Sequence, residues 1–432
     1  MEVFCRLSAV LSGLMLLIVA GGCAAPRVQD ESTAADFRDR LLVDQDGGVR
    51  VSTSVLSAEE SFAQYGFPLA EHGVQPVWVE VENAEDRTYW LMSPGMDPNF
   101  FPASEVADIF APETDREATT QRFRDLAFRN PVPPGSTVSG FVLTHLDEGV
   151  KMVQVDLLAS GRLKSFALLN DVPGFRADYR SKQVFLRELY AAEEVVDYLN
   201  DDDFRTALSL LPCCVTNRKG TRDGDPLNLV IVGGVQDAFP ALVRRGWHPT
   251  EETWSGSVMR MVKSALSGER YRYAPVSPLY LFGRPQDLAL QKARDNIHQR
   301  NHLRLWKSPM RYRGKPVWVG QISRDIGSRL TIHSPYLTTH KIDPDVDEAR
   351  TALVEDMAYS QNLYMIGMVH GVGAAPRTAP RANLTTDPYF TDGLRAVLVF
   401  GAYPKSLTEI EFAPWESDWA DFVGRSSRKA SQ

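Results

Sequence analysis

Residues 284–350 read RPQDLALQKARDNIHQRNHLRLWKSPMRYRGKPVWVGQISRDIGSRLTIHSPYLTTHKIDPDVDEAR, and they hold four of the eight histidines of the chain. Residues 284–313 contain eight basic and only two acidic side chains, a local balance of +6 in a chain whose formal net charge is −8. Such a local reversal of charge sign indicates an anion-binding site or a surface that pairs with acidic groups. The acidity of the whole chain argues against a general nucleic-acid-binding protein, so we expect no nucleic-acid partner.

An alternating pattern over residues 297–307 predicts a β-strand with one charged face. On such a strand Arg300, His302 and Arg304 point to the same side, and Trp306 ends the row. Arginine guanidinium groups make forked hydrogen bonds to phosphate or carboxylate oxygens. We therefore predict that Arg300, Arg304 and Trp306 contact an anionic ligand. The alternative is that these cations pair with carboxylates of the chain itself.

A helical reading of the same segment would place His298 and His302 at the spacing of two zinc ligands. The HExxH motif requires a glutamate after its first histidine, and Gln299 occupies that position. The alternating Leu303 and Leu305 favour the strand instead. We therefore predict no metal site, and nothing in the pattern indicates a cofactor.

Residues 340–347, HKIDPDVD, form a second group of polar side chains. Asp343 is predicted to cap the N-terminus of the following helix, and His340 lies just before it. Asp325 follows a strand predicted over 316–322, a position where site residues often lie. A histidine with a neighbouring aspartate can act as a general acid or base. The candidate catalytic residues are His302, His340, Asp325 and Asp343.

The rest of the chain predicts an α+β protein, and its 44% hydrophobic and 24% charged residues are ordinary for a globular one. Short strands separated by turns predict a β-sandwich-like domain over residues 49–175. Helix-favouring, charged residues predict a helical connector at 176–216. Mixed strands and helices then predict an α/β domain over 217–420, followed by a disordered tail at 421–432.

The N-terminus predicts export to the cell envelope. Arg6 precedes an uncharged, largely apolar run at 7–20 that is short for a membrane span, which is typical of a signal peptide. Cys23 follows small residues as in the lipobox of bacterial lipoproteins, although Ala20 stands where leucine is usual. We expect a signal peptide at 1–22, lipidation at Cys23 and a flexible tether at 23–48. Ordinary secretion and a retained membrane anchor are the alternatives.

The predicted lipid anchor also indicates a location. Ala24 follows the cysteine where an aspartate would often signal inner-membrane retention. We therefore expect a protein held at the periplasmic face of the outer membrane. Its partners would be the membrane, through the anchor, an anionic lipid or glycan, and possible envelope proteins.

Two local motifs have structural interpretations. Cys213 and Cys214 are adjacent, and neighbouring cysteines bridge only through a strained ring, so we predict no structural disulfide between them. Gly233 and Gly234 follow a strand and precede a helix, an arrangement that can cradle a phosphate. The longer glycine spacing of a nucleotide site is missing, so a plain strand-to-helix turn is predicted.

Five segments, in this order, resemble segments of a known family: residues 227–234, 246–248, 302–306, 317–320 and 340–347. The family is the LssY C-terminal domain family, and the resemblance covers roughly residues 220–372. In that family the domain often follows membrane-embedded modules, whereas this chain has a lipid-anchor signal and a β-rich region there. The resemblance implies the cell envelope and assigns no catalytic residue.

Three functions follow from these observations. The first is a binding or accessory lipoprotein for an anionic envelope ligand, such as a lipid headgroup or a phosphorylated glycan. The second is a phosphate-ester hydrolase, which needs a histidine and an aspartate within hydrogen-bond reach, or one water apart, in one pocket. The third is a protein–protein interaction module, which needs an exposed apolar patch or an open sheet edge on residues 49–172.

Overall fold

The structure is a computed structural model, and it describes residues 36–97, 100–111, 115–147, 150–173, 189–234, 236–250, 277–293, 300–330 and 338–416. Residues 41–432 form one compact unit, and residues 1–40 form another. The described residues combine helices with many strands, as the α+β prediction requires. The predicted signal peptide, Cys23 and the tail at 421–432 lie outside the described residues.

The described residues form six α-helices: α1 Ala58–Tyr65, α2 Ala103–Phe110, α3 Arg116–Leu126, α4 Asp201–Ser209, α5 Ala238–Arg244 and α6 Val346–Ala358. Short 3-10 turns lie at Phe37–Arg40, Leu69–His72, Ser93–Gly95, Ala192–Glu194 and Leu407–Glu409.

The strands of the N-terminal half are β1 Leu42–Asp46, β2 Val49–Val55, β3 Val74–Asn83, β4 Trp90–Leu91, β5 Ser136–His145, β6 Val150–Ala159 and β7 Arg162–Asp171. The C-terminal half continues with β8 Val196–Tyr198, β9 Cys214–Thr216, β10 Asp223–Pro226, β11 Leu229–Val232, β12 His248–Pro249, β13 Tyr280–Leu281, β14 Arg284–Pro285, β15 Leu288–Ala293 and β16 Arg300–Tyr312. The last strands are β17 Lys315–Leu330, β18 Thr338–Ile342, β19 Leu363–His370, β20 Arg381–Ala382, β21 Pro388–Tyr389, β22 Leu394–Phe400 and β23 Glu411–Phe412.

Two antiparallel sheets build the N-terminal half, in the orders β1-β2-β3-β5 and β4-β6-β7. Alternation in β3 buries Val77, Val79 and Val81, which share one apolar cluster with Val155 of β6. Burial of each such side chain contributes roughly 1.5–3 kcal/mol. Strand β1 pairs with β2 over its whole length, so the end of the predicted flexible tether is part of a sheet.

A ten-stranded sheet dominates the C-terminal half, with the main order β12-β15-β16-β17-β11-β22-β19-β23. Strand β11 lies between β17, which is antiparallel to it, and β22, which is parallel. All four residues of β11 are buried, as expected of a strand that is covered on both faces. The run of apolar residues that predicted this strand reflects that position.

Helices cover the two faces of the large sheet. On one face Leu353 and Met357 of α6 pack with Leu303 of β16 and Ile322 of β17 in one apolar cluster. On the other face α4 contributes Phe204 to a cluster with strands β11 and β22. The first cluster also contains Met152 of β6, so the N-terminal half and the large sheet share part of their core.

The described part of the segment predicted as a helical connector contains strands as well as a helix. Within its described part, helix α4 is capped by Asn200, whose side chain accepts hydrogen bonds from the backbone of Asp202 and Asp203. Strand β8 pairs in parallel with β16, so this part is joined to the large sheet. The prediction for the cysteines was wrong in this structure, because a disulfide joins Cys213 and Cys214.

Candidate functional site

Three neighbouring strands, β15, β16 and β17, bring polar side chains together on one face of the large sheet. His302 lies opposite Gln291 on β15 and opposite Ser323 on β17. Arg304, two residues further on, lies opposite Gln321. Alternation in β16 buries Leu303 and Leu305 on the other face, as the sequence predicted.

His302 and Asp325 form a buried hydrogen-bonded pair at the centre of this face. The distance between His302 Nε2 and Asp325 Oδ2 is 2.7 Å, and the two residues are only 5% and 3% exposed. Both had been predicted as candidate catalytic residues, and the structure brings them into direct contact. The sequence predicted Asp325 just after a strand, whereas it lies within the longer β17.

The environment of His302 favours the neutral imidazole. Burial is the largest cause that lowers its pKa, Asp325 opposes this effect, and Arg300 and Arg304 add to it. In the neutral ring one nitrogen carries a proton and the other carries a lone pair. A hydrogen bond from Nε2–H to the Asp325 carboxylate selects the tautomer with the lone pair on Nδ1, the form of a general base.

Two arginines lie beside this pair and bond to neutral amides. Arg300 is 2% exposed, and its Nη1 donates to Gln291 Oε1 at 3.0 Å. Its Nη2 lies 3.9 Å from Asp325 Oδ2. Arg304 is half-buried, and its Nη1 donates to Gln321 Oε1 at 3.0 Å. The glutamine side chains orient the two guanidinium groups, while Asp325 lies within ion-pair distance of Arg300 and also attracts Arg304.

A second buried carboxyl group, that of Asp225, lies on a strand of another sheet. Asp225 of β10 accepts a hydrogen bond from Asn383 Nδ2 at 3.3 Å. Burial raises its pKa, while the charge of Arg304 lowers it. Asp325 and Asp225 both attract Arg304. Arg304 is therefore held electrostatically between two carboxyl groups.

Sequence reasoning missed Gln291, Gln321 and Asp225. The two glutamines lie on the strands next to β16, directly opposite His302 and Arg304, so their side chains share the same sheet face. Finding them from the sequence requires the pairing register of these strands. Asp225 belongs to a different sheet, and no local pattern marks it.

Trp306 lies away from this polar group. It is fully buried and packs with Val215, Leu227 and Val319 in an apolar cluster. Its indole nitrogen donates to the carbonyl oxygen of Arg284 at 3.3 Å. In this structure Trp306 is therefore a core residue.

The second predicted group, at residues 340–347, lies next to the same strands. The backbone of His340 on β18 pairs with that of Ser328, and the His340 side chain lies outside the described residues. Asp343 was predicted as the helix cap, but Asp345 occupies that position before α6. Asp343 instead accepts a hydrogen bond from the amide of Asp345 at 3.0 Å. Its other carboxylate oxygen lies 4.0 Å from Arg324 Nη1, so Asp343 belongs to a turn and to an ion pair with β17.

The glycine turn after β11 is structural, as predicted. The amide of Gly234 donates to the carboxylate of Asp237, and the amide of Gly233 donates to the carbonyl oxygen of Pro316. The backbone groups that would cradle a phosphate are thus already bonded. Asp237 also accepts from the amide of Ala238 at the start of α5.

The described residues contain no group of three or more histidine, cysteine or acidic side chains placed to hold a metal ion. Within the same part of the chain, no helix has the length and apolar character needed to cross a membrane.

Comparison with known proteins identifies one family. Residues 205–394 match the family model described as LssY C-terminus. No curated protein matches the chain. The matched segment contains β16 and β17, and hence the whole His302–Asp325 pair.

Proposed function

We propose that residues 205–394, which match the family model described as LssY C-terminus, hydrolyse a phosphate ester with His302 and Asp325 as the acid–base pair. The observation that carries the proposal is the 2.7 Å hydrogen bond between these two buried side chains. This is the hydrogen bond by which an aspartate orients a catalytic histidine.

Burial of so many charged groups argues for a function. The same sheet face holds His302, Asp325 and Arg300, each no more than 5% exposed. Ionised groups removed from water destabilise a fold unless they are well paired, and apolar residues of similar volume are often at least as stable. Perturbed ionisable groups therefore cluster at functional sites.

The proposed reaction uses each group in one role. Arg300 and Arg304 hold the phosphoryl oxygens and stabilise the charge that develops in the transition state. Nδ1 of His302 takes a proton from a water molecule as the water oxygen bonds to phosphorus. The ester P–O bond breaks, and the imidazolium returns the proton to the leaving alcohol oxygen. Asp325 orients the ring and stabilises the imidazolium.

Anion binding without turnover is the second candidate function. It is supported by the position of Arg300 and Arg304 on β16, where alternate residues share a side, which places two guanidinium groups on the same face of the sheet. An accessory protein of this kind would hold a lipid headgroup or a phosphorylated glycan. Both candidates share the ligand chemistry and differ in whether His302 moves a proton.

The interaction-module alternative has weaker support. Trp90 and Leu158 are register partners on β4 and β6, and both are exposed. An apolar pair of this kind fits a contact with another protein. It is much smaller than the contiguous patches that mark interaction sites.

The test compares turnover and binding in the same purified full-length protein. Phosphate-ester cleavage is measured with p-nitrophenyl phosphate and bis-p-nitrophenyl phosphate, and binding is measured by calorimetry with inorganic phosphate. We expect His302→Asn and Asp325→Asn to reduce cleavage at least 100-fold, in the range typical of general acid–base groups. Arg304→Gln is expected to weaken phosphate binding.

The matched control is His145→Asn. His145 Nδ1 also lies close to an aspartate, 2.9 Å from Asp97 Oδ2, but it is exposed and outside the family segment. This variant should cleave as the unmodified protein does. Binding of phosphate with no cleavage would overturn the hydrolase and support the accessory role. If the protein neither binds phosphate nor cleaves the esters, the hydrolase and the accessory role are both overturned.

A further inference from the structure

A cleft lies on the face of β15, β16 and β17 opposite to the His302 pair. Its volume is about 390 Å³, and it opens between α6 and the ends of β15, β16 and β17. Asn301 and Arg324 line it, and they directly neighbour His302 and Asp325 along their strands. Since successive side chains of a strand point to opposite faces, this cleft is separated from the His302 pair by the sheet itself.

The strand register explains why a cleft forms there. Leu290, Leu303 and Ile322 are cross-strand neighbours and belong to the apolar core under α6. Two residues further towards the sheet end, the corresponding row is Lys292, Asn301 and Arg324. The apolar core therefore ends in a polar row under the helix.

Asp356 of α6 positions two of the cations that line the cleft. It accepts hydrogen bonds from Arg245 Nε at 2.8 Å and from Lys292 Nζ at 2.7 Å. The indole nitrogen of Trp247 also lies 3.2 Å from this carboxylate. Both cations remain partly exposed, while Asp356 is mostly buried. The Asp356 carboxylate therefore fixes the positions of Arg245 and Lys292 in the cleft.

The remaining walls offer acceptors, a further cation and an aromatic ring. Arg324 Nη1 lies 3.0 Å from Glu348 Oε1, and that carboxylate is mostly exposed. Glu355 adds another exposed acid. Tyr359 is 65% exposed where the helix ends. Ala352 has a side chain too small to fill the space beneath it.

We propose that this cleft binds an acidic saccharide. The cations Arg245, Lys292 and Arg324 would hold a sugar carboxylate, and exposed acids would accept hydrogen bonds from its hydroxyl groups. Tyr359 offers an apolar ring face against the C–H side of a pyranose. The volume lies within the range of about 300–1,000 Å³ that is typical of small-molecule sites. A simple phosphate would leave the acids and the tyrosine without a role.

The experiment measures binding of trigalacturonic acid to the full-length protein by calorimetry, with the neutral maltotriose as a comparison. We expect the acidic trisaccharide to bind at least tenfold more tightly. Arg324→Gln and Tyr359→Ala should each weaken its binding about tenfold, the effect of losing roughly 1.4 kcal/mol. Ala352→Phe should block it by filling the cleft.

Arg377→Gln is the control, because Arg377 is an exposed arginine that contacts Asp345 and lies outside the cleft. All variants are first compared by thermal unfolding, and Ala352→Phe removes no polar contact, so its loss of binding reports access to the cleft. Equal affinity for both trisaccharides would overturn the proposal, as would affinity that the three cleft variants leave unchanged. Failure of trigalacturonic acid to bind would also overturn it.

Discussion

His302 illustrates how one buried side chain ties stability to pH. Burial and two nearby arginines lower its pKa, so the folded protein favours the neutral ring. In the unfolded chain a histidine titrates near 6.5. Between these two values the unfolded state binds more protons than the folded state, and stability rises with pH.

We therefore expect the free energy of unfolding to fall as pH decreases below about 6.5, with His302 contributing a slope of up to about 1.4 kcal/mol per pH unit. Urea unfolding at a series of pH values measures this slope. His302→Asn should flatten it, whereas the exposed-histidine variant His145→Asn should retain it. An unchanged slope in His302→Asn would contradict the neutral, buried state of this ring.

At the scale of elements, helix α4 is held in place by one buried arginine. Arg395 of β22 is fully buried, and its guanidinium donates to the carbonyl oxygens of Leu208, Leu211 and Pro212 at and just beyond the helix end. Burial lowers the pKa of Arg395 to about 10, and the side chain stays charged at neutral pH. A cation at a helix C-terminus is stabilised by the helix dipole and satisfies carbonyls that lack helical partners.

Arg395→Met is expected to destabilise the protein by about 3–5 kcal/mol, because it leaves buried carbonyl groups without donors. Equilibrium urea unfolding measures the change. Arg377→Gln, which alters an exposed arginine, should change stability by less than about 1 kcal/mol. A loss of similar size in both variants would mean that the contacts of Arg395 are not what stabilises α4.

At the scale of the whole molecule, lipidation at the N-terminus would decide where the proposed chemistry takes place. We propose that lipidation at Cys23 holds the protein in the cell envelope, at the periplasmic face of the outer membrane. The residues between Cys23 and β1 would link the lipid to the folded unit. A phosphorylated lipid or glycan would then be near the His302 pair.

Cys23→Ala is expected to release the protein into the soluble fraction without unfolding it. Fractionation of cells, followed by a high-salt wash of the membrane pellet, measures the distribution. Thermal unfolding of the released protein checks that its fold is intact. Retention of the variant in the washed pellet would assign the anchor to the uncleaved segment at 7–20.

Local pattern predicted much of the large sheet. Alternation over residues 297–307 predicted the charged face of β16, because side-chain direction on a strand depends only on parity. The strand predicted before Gly233 is β11, and its four residues are all buried. Alternation predicted the strand face on which Trp306 lies. It did not predict the apolar residues that pack against this side chain. The cap of α6 was predicted two residues too early, at Asp343 instead of Asp345.

By itself, the sequence predicted the α+β class, the resemblance of roughly residues 220–372 to the LssY C-terminal domain family, and the strand that carries Arg300, His302 and Arg304. Only the tertiary structure decided which groups meet them. The contact of His302 with Asp325 joins residues 23 positions apart and depends on the register between β16 and β17. Register is set by long-range pairing and by burial of whole faces, which no local window contains. For the same reason, the cleft under α6 appeared only when helix and sheet were packed together.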